Sequence, residues 1–110
     1  MKYIFFISIL VFSCSKDNGV VGNTLNCTGV PKSFMTDVSP IVQLFCNTAG
    51  CHATGSTNGP GAITNYTQVF TNSVAIRAAV AAGTMPKTST LTTAQKNSFL
   101  CWIDSGAPNN

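Results

Sequence analysis

Residues 46–52 read CNTAGCH, which places two cysteines and the only histidine of the chain within seven positions. Thiols and an imidazole packed this closely serve a covalently attached cofactor, a metal centre, or a disulfide beside a histidine. The choice matters for the fold because the chain is short. At 110 residues it holds one domain at most, and a core of that size usually depends on a staple. The five cysteines are therefore read as structural equipment.

The first thirteen residues set the compartment. Lys2 supplies a positive n-region, and Tyr3 to Phe12 form an apolar run of signal-peptide length, about half of what a membrane-spanning helix needs. Residues 1–13 are thus expected to be an export signal. The stretch LVFSC, residues 10–14, resembles a bacterial lipobox, with Phe12 where a small residue is usual. The resemblance implies acylation of Cys14, so the mature protein is expected in the periplasm or at the cell surface as a membrane-anchored lipoprotein. Setting Cys14 aside leaves Cys27, Cys46, Cys51 and Cys101 in an oxidising compartment. A bond between Cys27 and Cys101 would tie the incoming chain to the last helix. Four cysteines allow three pairings, however, and the sequence leaves them open.

Beyond the anchor, residues 14–33 are rich in Asn, Gly and Thr without periodicity and read as a lipidated N-terminus with a flexible tether. The domain is expected over residues 34–110. Ser39 before Pro40 predicts an N-cap with proline at the first helical position, and Ile41, Val42, Leu44 and Phe45 carry a short apolar helix into Cys46. TGSTNGPG, residues 54–61, is loop, and residues 66–70 predict a brief helical turn. In NSVAIRAAVAAG, Asn72 or Ser73 can cap an alanine-rich helix that Gly83 stops. A loop carrying Met85 follows. The last helix opens on a capping box, Thr92 with Gln95, carries Phe99, Leu100, Trp102 and Ile103, and ends at Gly106 and Pro108. No strand pattern or internal repeat is present.

This order of parts resembles a class I cytochrome c. The stretches VSPIVQLFCNTAGCH, AAGTMP and CWIDSGAPNN are similar to the small cytochrome c domains of Bacteroidetes lipoproteins and to planctomycete-type cytochrome c domains, over about residues 34–110. The resemblance implies an all-α fold of three to four short helices wrapped around one covalently bound haem c. It implies thioether bonds at Cys46 and Cys51, His52 as proximal ligand to the haem iron, and Met85 as distal ligand. It further implies that the carbonyl of Pro60 accepts a hydrogen bond from the imidazole. The implied function is electron transfer, with no catalysis.

Residue chemistry supports those roles. Two thiols can hold a porphyrin, and an imidazole directly after the second is aimed by its own attachment. A thioether is neutral and soft, so as sixth ligand it favours ferrous iron. Met35 competes with Met85 for that role but precedes the motif. The spacing departs from the usual signature, with four residues between the cysteines instead of two, and Gly50 is expected to let the longer insert bulge.

Two other readings use the same residues. Cys46, Cys51 and His52 with Cys27 or Cys101 could form a structural zinc module. Alternatively, the chain is a disulfide-stapled exported module that binds a partner and carries no cofactor. Charge narrows the partners. Only 8% of residues are charged and none cluster, which excludes phosphate-backbone recognition and so nucleic acid. Lys16, Lys32, Arg77, Lys87 and Lys96 against Asp17, Asp37 and Asp104 leave +2 after signal removal, too little to steer a charged partner strongly. Redox partners are expected to be met transiently by a monomer, through a small uncharged patch. Arg77 and Lys87 are the cations that could meet haem carboxylates or stay solvated.

Overall fold

The computed structural model describes residues 25–110. The expected export signal and Cys14 lie outside the described residues. Within them the chain forms four helices and no strand, as an all-α domain requires.

The first helix, α1, covers residues 34–46 and starts earlier than its sequence suggests. Ser33, extended at φ −112° and ψ 152°, is the N-cap: its Oγ accepts the Thr36 N–H at 3.0 Å, and Asp37 Oδ2 accepts the Ser33 N–H at 2.8 Å. Ser39 is therefore not a cap, and Pro40 lies inside the helix. The winding explains how. Phe34–Val38 and Val42–Cys46 are π-helical turns, with an α-helical stretch Ser39–Ile41 between them. A proline ring crowds the carbonyl four residues back and offers no N–H; Pro40 lies in the short α-helical stretch, flanked on both sides by widened turns.

Helix α2 is Tyr66–Thr71, capped by Asn65, whose Oδ1 accepts the Gln68 N–H at 3.0 Å. Helix α3 is Ser73–Ala82 and stops at Gly83, which sits in the left-handed region at φ +73° that a residue with a Cβ enters at a cost. Its start has no side-chain cap. The Asn72 side chain instead donates to the Gln68 carbonyl at 2.8 Å, closing the end of α2. Helix α4, Thr93–Asp104, opens with both halves of the Thr92–Gln95 capping box in place.

Helix α4 packs against α1 and α3. Its Trp102 and Phe99 are sealed from solvent together with Val38, Val42 and Val69. Phe34 stands 5.6 Å from Trp102 and edge-on to Tyr66 at 5.2 Å between ring centroids, a geometry that favours aromatic pairs. The segment after α4 folds back over the start of α1. Asn110 accepts the N–H groups of Phe34 and Met35 at 3.0 and 2.8 Å, which would otherwise be unpaired at the helix start. Trp102 Nε1 donates to the Pro108 carbonyl and the Tyr66 hydroxyl to that of Ala107, each at 2.9 Å.

Of the three possible pairings, one disulfide forms, between Cys27 and Cys101, with Cα atoms 5.3 Å apart. Leu25 packs against the hydrophobic core as well. Residues 25–33 are thereby fastened to α4, although they read as tether in the sequence.

Candidate functional site

The motif begins on the last π-turn of α1, which delivers Cys46. The Asn47 N–H closes that turn on the Val42 carbonyl at 2.8 Å, and the chain then arches through the four-residue insert. The Cys51 N–H bonds the Thr48 carbonyl at 3.0 Å, and the His52 N–H returns to the Cys46 carbonyl at 3.1 Å. Gly50 takes φ +79° with open space where a Cβ would stand, so it lets the insert bulge outward. The arch brings His52 back beside Cys46 despite the two extra residues.

His52 is 7% exposed. Its Nδ1 lies 2.8 Å from the Gly61 carbonyl oxygen, and a carbonyl can only accept, so Nδ1 carries the proton. In the neutral ring this leaves the Nε2 lone pair as the one that can act as a ligand. The acceptor is Gly61 and not Pro60, which corrects the expectation for the imidazole's partner. The two are neighbours, and Gly61, at φ +101°, turns its own carbonyl to the ring. A further bond, Ile63 N–H to the His52 carbonyl at 2.8 Å, pins the loop to the histidine.

Both motif cysteines are free thiols. Burial, with a smaller contribution from neighbouring Cys51, pushes the Cys46 thiol up from 9.0 to about 11. At neutral pH Cys46 is therefore a neutral thiol and not a thiolate nucleophile.

These groups border a cavity of about 420 Å³. Pockets that enclose a sizeable organic molecule run from about 300 to 1,000 Å³. Its walls are apolar: Ile41 and Phe45 from α1, Ile76 and Val80 from α3, Phe99 from α4, with Ile63 and Leu91 from loops. Cys46, Cys51, His52, Pro60 and Met85, the five residues expected to bind a cofactor, all line it. Gly83 ends α3 so that the next residues turn back on it, with the Thr84 N–H 3.0 Å from the Ala79 carbonyl, and this places half-buried Met85 at the cavity. Met35, the competing methionine, is 73% exposed on α1 and does not line it.

The two cations part company. Arg77 donates Nε and Nη2 to the Asp104 carboxylate, the latter at 2.8 Å, joining α3 to α4 and holding Asp104 below the usual carboxylate range. Lys87 lines the cavity and is the charged residue on its wall.

Sequence reasoning passed over three residues that shape the site. Gly61 accepts from His52. Asn58 and Ser56 bond the backbone of the insert, with the Asn58 amide 2.9 Å from both the Gly50 and Cys51 carbonyls and the Ser56 hydroxyl donating to that of Cys51. Loop asparagines and serines are common, so nothing in the sequence singles these out.

The zinc arrangement does not assemble. Cys27 and Cys101 are spent on each other, and no group of three or more His, Cys, Asp or Glu side chains suited to a metal ion occurs among the described residues. Comparison with protein-family models, characterised proteins and solved structures found no match.

Proposed function

We propose that the domain binds one haem c covalently and serves as an electron carrier, anchored to the membrane through lipid on Cys14. The observation that carries this reading is the convergence on one apolar cavity of two free thiols, an imidazole with its Nε2 lone pair available, and the Met85 thioether. A large flat ring with two carboxylates suits a cavity whose walls are aliphatic and aromatic and whose one charged residue is Lys87.

Bound haem supplies a one-electron iron couple. Every other contribution comes from the chain. Cys46 and Cys51 are the attachment points. His52 ligates through Nε2, and its Nδ1–H bond to Gly61 fixes the tautomer and raises the basicity of the ligating nitrogen. Met85 ligates through sulfur and favours the reduced state. The aliphatic walls exclude water. The same set favours transfer without catalysis: His52 and Met85 would both be committed to holding the group, and the chain has no glutamate and no second histidine to move a proton to a substrate. With so few charges, the redox partner would be met briefly and by a monomer, through an uncharged surface.

The test is to express the full chain with periplasmic cytochrome maturation factors, stain for haem after denaturing electrophoresis, and record reduced-minus-oxidised spectra. Haem surviving denaturation, with sharp reduced bands, is the expected result. Met85→His should keep the haem and lower the midpoint potential by on the order of 0.1–0.3 V, within the roughly 0.8 V that axial ligands span. Met35→Ala should leave it unchanged. Colourless protein from cells that mature a control cytochrome would end the carrier reading in favour of a cofactor-free binding module.

A further inference from the structure

The insert between the motif cysteines is twice the usual length, and a longer arch allows its second thiol to wander. The base of the arch is closed by the bond from the His52 N–H to the Cys46 carbonyl at 3.1 Å. Its far side is held from outside the motif. Asn58 Nδ2 donates to the carbonyls of Gly50 and Cys51, both at 2.9 Å. The Asn58 N–H donates to Ser56 Oγ at 3.2 Å, and that hydroxyl donates to the Cys51 carbonyl. Two side chains thus meet on the one carbonyl that lies between the second thiol and the histidine. Because both partners of the amide are carbonyls, its NH₂ group must face them, and both its hydrogens are committed.

The geometry points to Asn58 as the positioning residue for the second attachment: by clamping Gly50 and Cys51 it keeps the Cys51 thiol on the cavity wall, so that the second thioether forms as completely as the first. This rests on the haem c reading. The bond-forming step is an addition. The Cys51 S–H adds across a vinyl C=C, sulfur bonding to the carbon next to the ring and hydrogen going to the terminal carbon. One π bond and one S–H bond are exchanged for one C–S and one C–H bond, with no leaving group and no external oxidant or reductant. The step needs the thiol held in place, and that is what the clamp provides.

The experiment uses the full chain matured in cells, comparing the unmodified protein with Asn58→Asp, Asn58→Gln and Thr57→Ala. Asp keeps the shape but turns two donors into acceptors that face carbonyl oxygens. Gln retains the amide. Thr57 is an exposed neighbour without a described hydrogen bond. Haem-bearing chains are denatured, treated with iodoacetamide, and the alkylated cysteine is located by peptide mass. A thiol left out of attachment takes the reagent, and its unreacted vinyl moves the reduced α-band to longer wavelength. Asn58→Asp should raise the share of haem-bearing chains with an alkylated Cys51 at least about fivefold, the factor that losing even one of the two amide hydrogen bonds corresponds to. Asn58→Gln should restore most of the loss, and Thr57→Ala should match the unmodified protein.

Counting only haem-bearing chains separates positioning from folding. If Asn58→Asp lowers the yield or the melting temperature but leaves the share of alkylated Cys51 and the α-band unchanged, the clamp is structural only and the inference falls while haem binding stands. If no chain, including the unmodified one, carries haem, both readings fall together.

Discussion

At Cys46 the chain holds a half-buried thiol against the apolar wall of the cavity. Desolvation raises the cost of the thiolate, and the second thiol nearby adds to it, which moves the group from 9.0 to about 11. The consequence for stability has a definite sign. Between those values the folded chain holds a proton that the unfolded chain has lost, so stability is present in full below pH 9 and falls as pH rises toward 11. Two units correspond to about 2–3 kcal/mol. Urea unfolding of the chain made without maturation factors, with both thiols free, should show that loss between pH 8 and 11. Cys46→Ala should remove it from the difference between the two curves. At His52 the device is a hydrogen bond: one carbonyl, Gly61, decides which nitrogen faces the cavity.

At the scale of elements, α1 shows how a cap and a proline compete as start signals. Ser39–Pro40 and Ser33 with Asp37 both fit the pattern of a helix beginning, and the chain uses the earlier one. Ser33→Ala should therefore cost about 1 kcal/mol, while Ser39→Ala should stay within about 0.5 kcal/mol, measured as shifts in the denaturation midpoint. The reverse order would place the helix start at Ser39. The early start has a purpose in the fold. It adds Phe34 and Val38 to the face that meets Trp102, and it brings the first N–H groups of the helix to Asn110. The π-turns at each end of α1 then flank Pro40 and set Cys46 at the rim of the cavity.

Across the whole molecule, helices make the walls and loops hold the chemistry. The segments 47–65 and 83–92 carry every polar group of the site except Cys46; hydrogen bonds within the first keep it closed, and the start of the second is tied back to α3 at the Ala79 carbonyl. A domain this small lacks core enough to support such loops unaided. The Cys27–Cys101 disulfide closes a span of 74 residues, which removes about 4 kcal/mol of chain entropy from the unfolded state in the loop-closure model. The double variant Cys27→Ser and Cys101→Ser should lose stability of that order in urea unfolding. An unchanged midpoint would show that the core and the bound segment 25–33 suffice.

Much of this organisation is legible in the sequence because the signals are local. The Thr92–Gln95 box, Gly83 after an alanine-rich run, and the all-α periodicity act within three or four residues, where backbone hydrogen bonding and φ preference decide the outcome. Cys46, Cys51, His52 and Met85 could be picked out as candidates, the first three by their close spacing and Met85 through the family resemblance, and all four line one cavity. What the sequence left open involves partners far apart or choices between neighbours. The expected acceptor for His52, Pro60, gave way to the neighbouring Gly61 carbonyl, because the direction of a turn decides which of the two faces the ring. Arg77 found Asp104, 27 residues away, and so left the cavity to Lys87. The pairing of Cys27 with Cys101 and the clamp of Asn58 on Cys51 exist only once the chain has folded back on itself. By itself the sequence determined which elements form and which side chains can do chemistry. Only the tertiary structure decided which of them share one cavity, because that depends on distances between residues remote in the chain, to which local preference is blind.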